Sequence, residues 1–397
     1  MKILVANLGS TSFKFRLFSM TETEEVLLAK GGYERVEDYG QAIDQCLEEL
    51  QEAGHLNSFS DLDAVGFKTV LGKNLSGCIL ADEKVLEALD GFREIAPAHN
   101  PAYANGIRQF RAKAPELPLV ALFETAFYQW ATEGSTRYAV PEEWYEAGVR
   151  RYGFHGASHK FAAERSAELA GRDDAAEATR NLYLNGPVDL KKPFRVISCH
   201  LGGSSSIAGV RNGAAIGASM GLSPQSGLPQ NNRVGDLDSS AVPYIAKTLN
   251  LSLAEIERQM TVESGLLGLS GVSNDLRDIL KAAREGNDRA QLALDVFVHQ
   301  IRHWIGVFMI ELGGCDALVF TGGIGENHAW LREAVCRDLG ELGISIDQTR
   351  NDSGFSPETD LSTTDSRTRI FTIPANEELV VARETQRLIQ SLQTTNS

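Results

Sequence analysis

Short runs of consecutive apolar residues alternate along this chain with longer stretches whose apolar positions recur at helical spacing. The runs at 3–6, 13–18, 64–67, 119–123, 194–198, 317–320 and 369–373 predict strands. Unbroken apolar runs are what strands covered on both faces require, and their alternation with helical patterns predicts a layered α/β architecture. The longest helical pattern covers 288–312, with Leu294, Phe297, Val298, Ile301, Ile305, Phe308 and Leu312 on one stripe, and Gly313-Gly314 ends it. His299 and His303 ride in that helix and read as packing or surface histidines. The stretch 172–193 is polar, carries Asn185-Gly186-Pro187 and lacks strong periodicity, which predicts a peripheral insertion or connecting loop.

The same device occurs twice: a strand-like run that ends in a polar turn rich in glycine and serine. It reads Ile3-Leu4-Val5-Ala6-Asn7-Leu8-Gly9-Ser10-Thr11-Ser12 first, and Val196-Ile197-Ser198-Cys199-His200-Leu201-Gly202-Gly203-Ser204-Ser205-Ser206 later. A third turn, Thr321-Gly322-Gly323-Ile324-Gly325-Glu326-Asn327, follows another such run. Glycine and serine are ordinary hairpin residues, and each turn alone reads as that. Recurrence shifts the reading toward phosphate, because glycine lets backbone approach an anion and hydroxyls with amide N–H groups can ring it. The chain reads as a duplicated, two-lobed nucleotide binder.

At 397 residues the chain exceeds one compact core, and a hydrophobic share of 43% suffices for two. A net charge of −15 excludes the concentrated positive surface that nucleic acid or an anionic membrane demands, and favours an enzyme of small metabolites. Cys46, Cys78, Cys199, Cys315 and Cys336 are scattered without metal or redox spacing, as in a reduced, cytoplasmic protein. The start enters a strand at once, with no signal-peptide pattern, and no run has the length of a membrane span.

Arg150-Arg151-Tyr152-Gly153-Phe154-His155-Gly156-Ala157-Ser158-His159 packs two cations and two histidines into one segment, a density that reads as a cleft meeting negative charge or as a solvated basic turn. Gln230-Asn231-Asn232-Arg233-Val234-Gly235-Asp236-Leu237-Asp238 sets one arginine among amides and carboxylates. Such an arginine can stabilise a transferring phosphoryl group or form a local ion pair. Near the end, Asn376-Glu377-Glu378 reads as a helix cap with acidic residues in the first turn, or as a carboxylate holding Mg²⁺ beside a triphosphate. His99 and Glu124 both sit where apolar elements break into loops, where binding residues are commonly placed.

Together these motifs resemble the acetate kinase family of the acetokinase, actin and hexokinase superfamily, along essentially the whole chain. The wording is closest at Arg151-Tyr152-Gly153-Phe154-His155-Gly156, in Gly265-Leu266-Leu267-Gly268-Leu269-Ser270-Gly271, at Gly323-Ile324-Gly325-Glu326-Asn327 and at Asn376-Glu377-Glu378-Leu379. The resemblance implies two actin-like (ribonuclease H-like) α/β lobes, duplicated, with a nucleotide cleft between them. It places the first lobe at 1–127, completed by 377–397 and carrying the acid pocket, and the second, with most nucleotide contacts, at 128–376. It implies Mg²⁺-dependent (or Mn²⁺-dependent) transfer from ATP to a short-chain carboxylate, giving ADP and an acyl phosphate. A cytoplasmic homodimer that closes on its substrates goes with it.

By the same resemblance, Asn7 and Glu377 match metal positions, while Lys14, His200, Gly202, Gly203 and Ser204 match nucleotide-phosphate contacts. Asp275, Arg277, Gly323, Gly325 and Asn327 match adenosine-side contacts, and His155 and Arg233 match transition-state stabilisers. Lys68, His99 and Glu124 fall to the acid's side, with Glu124 at a catalytic carboxylate position.

The departures gather around the acceptor. Where the family has Gly-His-Arg-Val-Val-His-Gly-Gly, this chain reads Gly66-Phe67-Lys68-Thr69-Val70-Leu71-Gly72-Lys73, so a point charge replaces a planar fork. Glu124 replaces an aspartate, and one methylene is a displacement that positioning effects register. On the phosphate side Gly203 stands where the family has asparagine, and Asn231-Asn232-Arg233-Val234-Gly235 replaces Gly-Thr-Arg-Ser-Gly. The expectation is a divergent carboxylate kinase whose acid need not be acetate. A nucleotide-binding regulatory module, a kinase with another phosphoryl donor and a simple ATP hydrolase are its rivals.

Overall fold

The computed structural model describes residues 1–97, 99–353 and 358–395, so the last two residues assigned above to the first lobe lie outside it. It divides into two compact units, 1–129 with 376–397, and 130–375.

The first unit is built on β1 (Lys2–Gly9), β2 (Ser12–Met20), β3 (Glu25–Glu34), β4 (Ala64–Thr69), β5 (Cys78–Leu80) and β6 (Leu119–Phe123), in the order β3-β2-β1-β4-β6-β5. β1, β2 and β3 form an antiparallel meander, β4 and β6 run parallel to β1, and β5 closes the edge antiparallel to β6. Ile3, Leu4, Val5 and Ala6 are wholly buried because helices cover both faces. On β4, Phe67 packs edge-on against Phe110 of the helix Asn100–Lys113. The adjacent Gly66 points the other way, where a methyl group would lie 2.5 Å from Thr385 Oγ1 on the helix Glu377–Thr395. That last helix therefore completes the sheet begun by the first residues of the chain, and Arg383 ties it to Glu25 on β3.

The second unit repeats the plan. β7 (Arg195–Leu201), β8 (Ser205–Arg211) and β9 (Ala214–Ala218) form the meander, β10 (Ala317–Thr321) and β12 (Arg369–Thr372) add in parallel, and β11 (Thr359–Asp360) closes the edge. The order β11-β12-β10-β7-β8-β9 is that of the first sheet, strand for strand. Ile197 and Cys199 face a core that holds Phe297, Ile301 and Phe308 of the helix Asp288–Glu311, whose N-terminus Asn287 caps by accepting from the Ala290 N–H. Gly313, at φ +69°, ends that helix as expected.

The duplicated α/β reading and all seven strand expectations hold to within a few residues. The segment 172–193 differs: it contains the helices Asp173–Arg180 and Leu182–Asn185. Its buried stripe is Ala175, Ala176 and Thr179, side chains too small and mixed to register as an apolar period. β3, β8 and β9 were also unmarked, since β3 is half exposed and β8 and β9 are rich in glycine, alanine and serine. The third glycine turn is the start of a helix, Gly322–Asn327.

Candidate active site

In the first unit, topology gathers residues that are far apart in sequence. Lys68 lies on β4 opposite Leu122 of the parallel β6, and Glu124 follows directly where β6 ends. Glu377 opens the last helix. The Lys68 ammonium is 3.2 Å from Glu124 Oε1 and hydrogen-bonded to Glu377 Oε2, with the three side chains 15%, 4% and 12% exposed. Burial alone would lower the lysine pKa, but Glu377 and Glu124 together outweigh it and hold the group well above its ordinary value. Asn7 joins this cluster through Tyr103, whose hydroxyl donates to Asn7 Oδ1 at 3.0 Å. Arg16 anchors the helix start, donating to Asn376 Oδ1 at 3.0 Å and pairing with Glu378 at 3.3 Å.

Lys14 is Asn7's direct partner across β1 and β2, but its side chain lies in solvent beside Glu34 at 3.3 Å. His99 immediately precedes the helix Asn100–Lys113 and does not cap it with its side chain.

In the second unit, His155 sits at φ +55°, a conformation uncommon outside glycine, just before the helix Gly156–Leu169. That kink aims its ring at the β7–β8 hairpin. His155 Nδ1 meets Ser206 Oγ at 2.8 Å, the same oxygen meets His159 Nε2 at 2.7 Å, and His159 Nδ1 meets Ser198 Oγ at 2.8 Å. His159, expected with its neighbours at a cleft or in a solvated turn, is instead fully buried, and burial with His200 nearby depresses its pKa well below 6.5. The His155 and His200 rings stack with centroids 4.2 Å apart, and His200 Nδ1 meets Ser158 Oγ at 2.7 Å.

The Gly202–Gly203–Ser204 turn is the β7–β8 hairpin itself, braced by the Gly202 N–H donating to Ser205 Oγ at 3.2 Å. The neighbouring loop 230–234 carries Arg233 and is stitched by backbone bonds to 260–267, among them Leu266 N–H to the Gln230 carbonyl at 2.8 Å. Gly265, at φ +60°, makes this fit possible, since any side-chain carbon there would overlap the Gln230 carbonyl oxygen. Arg233 Nη1 is held loosely, 3.3 Å from Gln230 Oε1 and 3.5 Å from the Pro224 carbonyl, and burial lowers its pKa. Asn231 donates its N–H to the Gly203 carbonyl at 3.3 Å; a methyl group on Gly203 would lie 3.3 Å from Asn231 Nδ2, and Asn231 Oδ1 is buried without a hydrogen-bond partner.

Arg277, Asn327 and His328 line a cavity of 640 Å³. Asp275 caps the helix Leu276–Arg284, and its hydrogen bonds from Arg277 lower its pKa to about 2. Gly323 and Gly325 lie in the first turns after β10, and Asn327 Nδ2 donates to the Gly323 carbonyl at 2.9 Å. Among the described residues, no group of three or more His, Cys, Asp and Glu side chains is arranged to hold a metal ion. No helix among them is long and apolar enough to cross a membrane.

The sequence did not mark Tyr103, which looks like any core aromatic, nor the bridging role of Ser198 and Ser206. The spacing of His155 and His159, one helical turn apart, is a signal that could have paired the two rings.

Residues 30–383 match the model of the Acetokinase family. An acetate kinase of Halothermothrix orenii is 38% identical, over 98% of this chain and 100% of that protein. The crystal structure of Porphyromonas gingivalis acetate kinase superposes with a TM-score of 0.85 at 32% identity, covering 98% of this chain and 99% of the other. A propionate kinase from Francisella tularensis superposes at 0.83 with 34% identity, covering 97% and 99%. The repeated sheets and these likenesses define a duplicated, actin-like α/β phosphotransferase that uses a carboxyl group as acceptor. The chain belongs to the Acetokinase family.

Proposed function

We propose that this protein transfers the terminal phosphoryl group of ATP to the carboxylate of a short-chain acid, with Mg²⁺ (or Mn²⁺) present, releasing ADP and an acyl phosphate, and that it runs readily in reverse. The observation that carries the reading is the buried Lys68 ammonium with Glu124 and Glu377, beside the Asn7–Tyr103 pair. A carboxylate is already a deprotonated nucleophile, so the chemistry asks for alignment and charge neutralisation more than for a base.

In the first unit, Lys68 and His99 hold the acid and Glu124 orients it. Asn7 and Glu377 offer hard oxygen atoms suited to Mg²⁺, which commonly takes only one or two protein ligands and completes its shell with phosphate and water. That the Glu377 carboxylate already pairs with a cation, Lys68, supports the fit. The metal, when bound, neutralises phosphate charge. In the second unit, His155 and Arg233 offer N–H groups to the equatorial oxygens of the transferring phosphoryl. His200, Gly202, Gly203 and Ser204 contact the nucleotide phosphates. Asp275, Arg277, Gly323, Gly325 and Asn327 contact the adenosine. A cytoplasmic homodimer accompanies this reading; the five cysteines are free thiols, in keeping with a reducing compartment.

Hydroxamate trapping of acyl phosphate, with Mg·ATP and acids from formate to branched and hydroxylated ones, tests it. We expect a signal with at least one acid and, as for arginines that contact a transferring phosphoryl, a loss of about 10³-fold or more in Arg233→Ala. Silence across the panel with ATP binding intact would refute it.

A further inference from the structure

We infer that Lys68 is a tethered counter-cation that stands between Glu124 and Glu377 in the metal-free protein, and that metal arrival releases it to receive the acid. This rests on the proposed role of Glu377 as a metal ligand.

Two largely buried carboxylates flank one ammonium, so the local formal charge is −1. Where the dielectric is low, a third anion cannot approach such a group without a further cation. A substrate acid arriving first meets a lysine already committed to two carboxylates. With a divalent ion held by Glu377, the local sign would reverse, Lys68 would lose one of its two partners, and its ammonium would be available to meet the acid.

The two departures support each other. Lysine ends in a compact head that rotates freely about its stem and can change partners, whereas a guanidinium fork is committed to fixed, planar pairs. Glu124 is one methylene longer than the aspartate of the family pattern, which extends the acidic arm toward the shorter base and closes the 3.2 Å contact. The backbone sites of the pair are fixed by adjacent parallel strands, with Lys68 level with Leu122, so exchange of partners needs side-chain rotation only.

Two consequences are measurable. Lys68 weakens metal binding in the absence of nucleotide, because two like charges contend for one place. Acid binds after metal. Titration of Mn²⁺ followed by electron paramagnetic resonance, without nucleotide, should show Lys68→Met binding at least tenfold more tightly than the unsubstituted protein, with Lys68→Arg, which keeps the charge, binding no more tightly than it. Equal or weaker Mn²⁺ binding in Lys68→Met overturns the inference. The unsubstituted protein supplies a second measurement should Lys68→Met fail to fold. Calorimetric titration with the acid that gives the strongest hydroxamate signal should show binding at least tenfold tighter with Mn·ADP than with ADP alone, and equal affinities overturn the inference. If Glu377→Gln leaves Mn·ATP affinity untouched, the assignment of Glu377 as a ligand is what fails.

Discussion

Ser206→Ala removes a single oxygen atom from the interior of the second unit, yet that atom joins two histidines. Ser206 is wholly buried and meets His155 Nδ1 at 2.8 Å and His159 Nε2 at 2.7 Å. Because burial keeps His159 neutral, one of its ring nitrogens donates and the other accepts. If Ser198 donates to His159 Nδ1, then His159 Nε2–H donates to Ser206, Ser206 donates to His155 Nδ1, and His155 keeps its proton on Nε2, the nitrogen proposed to serve a phosphoryl oxygen. Alanine leaves a buried ring nitrogen without its partner, which costs about 1–3 kcal/mol. For a unit of this size that is a fall in Tm of about 2–12 °C. His155 keeps its stacking on His200 but loses the bond that sets its tautomer and tilt, and misplacement on that scale lowers kcat by about ten- to a hundredfold. Scanning calorimetry gives the first quantity and hydroxamate kinetics the second, with KM for ATP expected to hold. A lowered Tm with undiminished kcat would refute the orienting role and leave the chain of hydrogen bonds as scaffolding only.

His159 also sets a pH dependence. Above about pH 6.5 it is neutral folded or unfolded, whereas below that the unfolded chain takes a proton the folded one refuses, so stability falls with acid by up to about 1.4 kcal/mol per unit. Urea midpoints between pH 7 and pH 5 should show this slope, and His159→Gln should flatten it; an unchanged slope counts against the assignment. Lys68→Arg combined with Glu124→Asp should raise kcat/KM for acetate relative to longer acids more than either change alone, and unaltered selectivity argues that these two residues do not define the pocket. Gly203→Asn and Asn231→Gly should each weaken ATP binding, while the double variant recovers most of it, with a coupling of about 0.5–3 kcal/mol by calorimetry. Additive losses would show that the two positions act separately.

Where apolar residues run unbroken, as at 317–320, the strand was legible because burial on both faces leaves no polar position to interrupt it. Where packing relies on small side chains, as at Asp173–Arg180 and Ala214–Ala218, the same reading had nothing to register. Local sequence offered Lys68, Glu124 and Glu377 as separate residues. It contained nothing to say that parallel strands and a returning helix bring the three together, since the distances along the chain carry no record of that pairing. His155 and Ser206 show the same limit, for the hydrogen bond between them depends on a left-handed backbone conformation at His155 itself, a residue type that does not announce it.

The returning helix Glu377–Thr395 also orders events during synthesis. Val380, Val381 and Ala382, all fully buried, lie on the helix that covers a sheet whose strands all precede the second unit in the chain, so that sheet waits uncovered on one face while the second unit is made. Glu377 arrives with the cover. A nascent chain therefore has the second unit's histidines and Arg233 in place before the carboxylate proposed to hold the metal exists on it, and phosphoryl transfer becomes available only once the fold is sealed.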